Sequence, residues 1–195
     1  MSNKSELPAL PPAVQRVIPM LRYSGWISFW IQLVLAVVAG GILLFAIATA
    51  NAGKTPPTAN NPGTGPGIFF AICGLIVLGL SIYWAWRYTR LSLQLQSANP
   101  NSRPKKADAL KLVRRGLIVN IMGMTLTLMG AEAIAGTLLA KSFQSTGIGF
   151  TVNSQMNNFI QPVDIFVVLG NTHTIVAHFV GIVTALWLIN WIDSD

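Results

Sequence analysis

The chain has 195 residues, 52% of them hydrophobic and only 10% charged, with a mean hydropathy of +0.56 and a formal net charge of +7. About a quarter of the residues in a soluble domain are charged, so this chain cannot clothe a globular surface in polar groups, and it reads as a membrane-embedded bundle. Eleven of the thirteen Lys and Arg residues lie in the N-terminal segment and in the stretch from Arg87 to Arg115 at one connection between apolar runs. That placement is a topology signal, so the expected partner of the positive charge is the lipid bilayer and not nucleic acid.

Residues 1–24 alternate prolines with apolar residues and carry Lys4, Arg16 and Arg22, the composition of an interfacial, cytoplasmic lead-in. The first apolar run, 25–50, exceeds the roughly 20 residues that cross a bilayer and is too long for the core of a signal peptide, so it is expected as an uncleaved helix. Residues 53–67 are rich in Gly and Pro and predict a flexible outer loop. The second run, 67–87, contains the lone cysteine, Cys73, which excludes an intrachain disulfide. It ends in Tyr83, Trp84 and Trp86, and Trp26, Trp30, Trp187 and Trp191 mark other span ends, as an interfacial aromatic belt does.

The connection 88–115 is the basic one. Arg103, Lys105, Lys106, Lys111, Arg114 and Arg115 are expected to contact an anionic membrane surface or a partner, and they place this loop and both termini in the cytoplasm. The third run, 116–140, has Gly116, Gly123 and Gly130 seven residues apart, with Thr137 continuing the series. Positions seven apart drift only about 20° around a helix, so these form a narrow stripe of small side chains suited to close packing on a neighbour. Glu132 falls on the opposite face, with Thr125, Met129 and Gly136. A carboxylate at that depth costs about 2.5–3.5 kcal/mol on insertion scales, which makes it a candidate cation or proton site. Met122, Met124 and Met129 read as lipid contact and gap filling. The connection 142–162 carries no charge but includes Phe143, Phe150 and Phe159, and it is expected either to dip toward the membrane or to cover the bundle's outer face.

The fourth run, 171–191, with a lead-in from Pro162, contains both histidines. His173 and His178 are five apart, about 140° around a helix, so they cannot share one ion. Asp164, Asn171 and His178 instead lie seven apart on one line. With Glu132 they are the candidate transport-path or metal residues, and equal depth in two antiparallel helices predicts a Glu132–His178 contact. His173 is expected near the outer interface. Nucleophile-elbow, phosphate-loop, HExxH and CxxC patterns are missing from the sequence, so no catalytic residue, enzymatic activity or bound cofactor is expected.

The stretch 163–191, "VDIFVVLGNTHTIVAHFVGIVTALWLINW", resembles a cyanobacterial and plastid family of four-helix membrane proteins of unknown function. The resemblance rests on Asp164 and its apolar run, on Asn171–Thr172 and on Ala177–His178–Phe179; at Leu169 the chain departs from it, where the family carries a more polar residue. It implies an all-α polytopic fold, and its plant members sit in the chloroplast inner envelope. Two roles have been proposed for the family, iron permease and component of the protein-import machinery. Without a transit-peptide composition, the expected setting is a cyanobacterial plasma membrane, with the thylakoid as the alternative. The resulting expectation is a transport component whose substrate is iron or another divalent metal; the alternative is a non-enzymatic subunit of a translocation or assembly complex. Four helices make a narrow conduit, so a homo-oligomer or larger membrane complex is expected in either case.

Overall fold

The computed structural model describes residues 12–52, 65–97, 104–146 and 160–194. These residues form four helices, α1 (Pro12–Ala52), α2 (Pro66–Leu95), α3 (Lys106–Thr146) and α4 (Pro162–Ser194), and no strand. Proline opens three of them, where its missing N–H has no intrahelical acceptor to lose. Asp108 and Asp164 stand in the first turns of α3 and α4, where the helix dipole favours a negative charge.

The helices run for 30 to 41 residues, or about 45–60 Å at 1.5 Å per residue, against a hydrocarbon layer of about 30 Å. All four are long and apolar enough to cross a membrane, and each projects beyond the span expected from composition. Residues 12–24, expected as a separate interfacial segment, continue α1 without a break, and Ile18 and Leu21 are buried with Tyr88, Leu91 and Leu95. The basic residues Lys106, Lys111, Arg114 and Arg115 form the exposed start of α3, preceded by exposed Lys105. Arg103 and the loops at 53–64 and 147–159 lie outside the described residues.

The helices pack as a closed ring in chain order, α1 against α2, α2 against α3, α3 against α4 and α4 against α1, with α2 and α4 also touching across the middle. Successive helices are antiparallel, so the first turns of α1 and α3 meet the last turns of α2 and α4. At that end Ile18, Leu21, Tyr88, Val113, Leu188 and Ile192 form one apolar cluster, and the Lys106 ammonium donates to the Asp193 carbonyl at 3.4 Å. A second apolar cluster, with Leu43, Ala46, Ile68, Ala71, Ile134 and Val167, fills the other half. Large apolar side chains such as Val37, Leu44, Phe69, Ile76 and Met122 point outward, as they should in a chain whose solvent is acyl chain.

Close approach requires the glycine stripe. Gly130 meets the backbone of α2 directly, a Cβ there lying 3.2 Å from Ala71 N and Gly67 O. Gly123 lies under the His178 ring and Gly116 under the Tyr88 ring, and a Cβ at either would overlap them. Gly136, on the outward face, has open space. At the end opposite the basic one, the Lys141 ammonium donates to Asp164 Oδ2 at 2.8 Å, with side chains only 3% and 4% exposed. Asp164 Oδ2 also accepts from the Gln161 N–H at 2.9 Å, closing the first turn of α4 as the return arm of a capping box does.

Two stability outcomes follow from this packing. Gly123→Ala should destabilise by about 1–3 kcal/mol through overpacking, whereas Gly136→Ala should be neutral or gain up to about 1 kcal/mol of helix propensity; thermal melting in detergent ranks the two. Lys141→Met should cost about 3–5 kcal/mol by stranding the Asp164 carboxylate, and the double variant Lys141→Met, Asp164→Leu should recover most of that loss in the same assay.

Candidate functional site

Between the two apolar clusters the bundle interior is polar. Each helix contributes to this layer from its inward face. Ser28 and Gln32 of α1 are one turn apart, and Gln32 Nε2 donates to Ser28 Oγ at 3.3 Å. Ser81 of α2 lies 2.9 Å from Gln32 Oε1 and 2.6 Å from Asn120 Oδ1 of α3, and its one hydroxyl proton can serve only one of them at a time. From α4, Gly181 faces the Asn120 and Gln32 amides, where any Cβ would overlap both. Ser28, Gln32, Ser81, Asn120 and His178 are all at most 3% exposed. In hydrocarbon such groups persist only when they satisfy one another.

His178 is the centre of the layer. It is 0% exposed and sits at the midpoint of α4, seated in the space left by Gly123. Its Nδ1 lies 3.3 Å from Asn120 Oδ1 and its Nε2 lies 3.2 Å from the Gly74 carbonyl of α2. The Asn120 amide cannot be turned round at no cost, because its Nδ2 donates to the Gly116 carbonyl at 2.9 Å. Both ring nitrogens therefore face oxygens that accept and do not donate.

Outward from His178 the α4 stripe continues through Thr174 and Asn171. Thr174 donates back to the Gly170 carbonyl at 3.1 Å, and Thr127 of α3 shares its hydroxyl between the Gly123 and Met124 carbonyls. Asn171 Nδ2 donates to the Thr127 carbonyl at 3.0 Å, while its Oδ1 is buried without a hydrogen-bond partner. Asn171 lines a groove of about 300 Å³ between α3 and α4, together with Thr172, Val168, Ala135 and Glu132. Glu132 is exposed there, on the surface that faces lipid.

The expected Glu132–His178 contact is not formed. Glu132 stands nine residues beyond Gly123, about 13 Å along α3 and about 180° around it. The expectation centred each helix on its apolar run. The real helices are longer and offset, so His178 lies at the middle of α4 and Glu132 six residues outward of the middle of α3. The structure does bring Glu132 beside Asn171, and it sets Asp164, Asn171 and His178 on one inward face, 3%, 2% and 0% exposed. Asp164 is held by Lys141, which lies just past the third apolar run. His173 Nδ1 sits 2.7 Å from the Leu169 carbonyl of its own helix. Gln32, Ser81 and Asn120 were not singled out; the available signal was a polar side chain inside each of three apolar runs. Among the described residues, no three of His, Cys, Asp and Glu come close enough together to hold a metal ion.

A chloroplast protein of Arabidopsis thaliana, "Protein TIC 21, chloroplastic", is 33% identical over 191 residues, which is 96% of this chain and 61% of that protein; the chain thus spans about three fifths of its relative's length. No solved structure matches the chain. The family model described as "Protein of unknown function (DUF3611)" matches residues 11–193. Four membrane-crossing helices around a His178-centred polar layer thus describe a chain that belongs to the DUF3611 family of unknown function.

Proposed function

We propose that this protein is a membrane transport component for cations, permease-like, with iron or another divalent metal as its substrate. The observation that carries the reading is the mid-depth polar layer, built from all four helices and closed toward either membrane face by an apolar cluster. A bundle that served only as a scaffold could fill that level with apolar side chains and avoid burying groups that are costly in hydrocarbon. Polar groups enclosed between two apolar seals are instead what an occluded binding level requires, since access from one side then depends on parting one seal while the other stays shut.

The approach to that level is the groove between α3 and α4. Glu132 and Asn171 both line it, Asn171 Oδ1 is buried just inside without a hydrogen-bond partner, and hard oxygen donors such as carboxylates suit hydrated divalent metals. Asp164 is committed to Lys141, so we assign it the role of holding α3 and α4 together at the outer end. The end that carries Arg22, Arg87, Arg90 and the start of α3 faces the cytoplasm on the positive-inside rule. There the Arg90 guanidinium lies 4.3 Å from the Trp86 ring and Arg87 lies 5.2 Å from Trp84, pairings suited to the headgroup level. A cyanobacterial plasma membrane is the setting we assign.

An exposed carboxylate on a lipid-facing surface also favours an assembled state, in which a second copy or another subunit covers Glu132. The same observation supports the second reading, a non-enzymatic subunit of a translocation or assembly complex. Uptake separates the two. In liposomes holding a metal-sensitive dye, the parental protein should admit Fe²⁺ or Mn²⁺. Glu132→Gln should slow uptake about tenfold, the factor that about 1.4 kcal/mol of lost charge interaction corresponds to, with melting unchanged. Uptake at the parental rate removes Glu132 from the path. No uptake by the parental protein, together with stoichiometric protein partners in gentle detergent, replaces transport by the subunit reading.

A further inference from the structure

The surroundings of His178 contain fewer hydrogens than contacts that need one. Along the line Gln32 Oε1, Ser81 Oγ, Asn120 Oδ1, His178 and Gly74 O there are four polar contacts between 2.6 and 3.3 Å. With a neutral imidazole, the Ser81 hydroxyl and one ring N–H serve two of them. At the histidine the shortage is independent of how Ser81 and Gln32 are oriented. Gly74 offers a backbone carbonyl, and the Asn120 amide is turned by its bond to Gly116. A neutral ring can donate to one of these oxygens, and its other nitrogen then sets a lone pair against the second.

We propose that His178 is a proton-binding site of the bundle interior: a proton taken up by the imidazole forms a new N–H bond at the bare ring nitrogen, and both flanking oxygens then accept hydrogen bonds from the ring. The proton comes from water on whichever side the layer opens to and returns to water when it leaves. The ring gains one positive charge and then loses it, and no other bond changes. Hydrogen bonds from a charged donor are about twice as strong as neutral ones, so the state of the proton bears on how tightly Asn120 of α3 and Gly74 of α2 are held to α4. Proton binding here ties three helices more firmly together, and release loosens them. This deepens the transport reading, on which it rests, by naming the proton as an ion that the layer binds.

No other titratable side chain among the described residues faces His178. Against the ring stand Asn120 and Gly123 of α3 and the Gly74 carbonyl of α2. Beyond Asn120 come Ser81 of α2 and, through it, Gln32 and Ser28 of α1, none of which titrates. Tyr88 lies further toward the cytoplasmic end, against Gly116 and 3.5 Å from the Val113 carbonyl. Lys141 and Asp164 neutralise each other at the outer end, on the far side of Ile134 and Val167, and Glu132 is on the outer surface of α3. A proton at this level would be governed by His178.

The chain has only two histidines, so ¹⁵N-histidine NMR of the full protein in lipid nanodiscs resolves the question directly, with His173→Gln assigning the His178 signals. As pH rises through the range in which the protein stays folded, the His178 ring should pass from two protonated nitrogens to one, in a single transition. Asn120→Leu, checked for intact melting, should lower its proton affinity about tenfold and move the transition down by about one pH unit. A single neutral tautomer at every pH at which the protein stays folded overturns the proposal, as does a transition that Asn120→Leu leaves in place. Metal uptake measured on the same preparation separates the two readings. A titrating His178 without uptake sinks transport and leaves the proton site, whereas uptake with a silent His178 sinks the proton site alone.

Discussion

The structure depends on how His178 is accommodated at the middle of the bundle. An imidazole placed in hydrocarbon needs oxygen partners, and this one obtains them from two other helices, at Asn120 and at the Gly74 carbonyl. The arrangement is open to it because Gly123 has no side chain where the ring lies. Asn120 in turn is aimed by Gly116, and Ser81 connects it to Gln32. One buried ring thus fixes the depth of four helices relative to one another. Apolar packing between membrane helices distinguishes poorly among registers, since lipid is as apolar as leucine, and directional hydrogen bonds supply the distinction.

Around that layer the bundle has an axial order. At the basic end an apolar cluster runs from Ile18 to Ile192, and above the layer a second one runs from Leu43 to Val167. Beyond the second cluster Lys141 and Asp164 tie α3 to α4 at the end opposite the basic one. Between α3 and α4 a polar group of the interior, Asn171, shares a groove with a charged group of the surface, Glu132. The proposed transport role draws on that order: a lateral approach, an enclosed polar level and a seal on either side.

Much of this was legible in the sequence, and the parts that were not share a cause. The four spans follow from apolar run length alone, and the Gly116–Gly123–Gly130 series and the Asp164–Asn171–His178 line follow from helical periodicity. Each of those six residues is buried. Partnership was not legible. Gln32, Ser81 and Asn120 are single polar residues in three different runs, and nothing within one helix says which polar residue of another lies level with it. Lys141 lies one residue past the apolar run that stops at residue 140, yet α3 continues to Thr146 and carries the lysine onto Asp164. The Glu132–His178 contact failed for the same reason: composition shows where a helix is oily, whereas depth is set by where it begins and ends.

The central claim is that His178 and Asn120 hold each other across the α3–α4 interface. A double-mutant cycle on thermal stability in detergent, with His178→Leu, Asn120→Leu and the pair, measures that coupling most directly. The account predicts a double variant less damaged than the sum of the single ones, by at least about 0.5 kcal/mol and up to about 3 kcal/mol, because each single change strands the partner. Losses that simply add would show that the two residues do not act on one another, and the layer as described here would not exist.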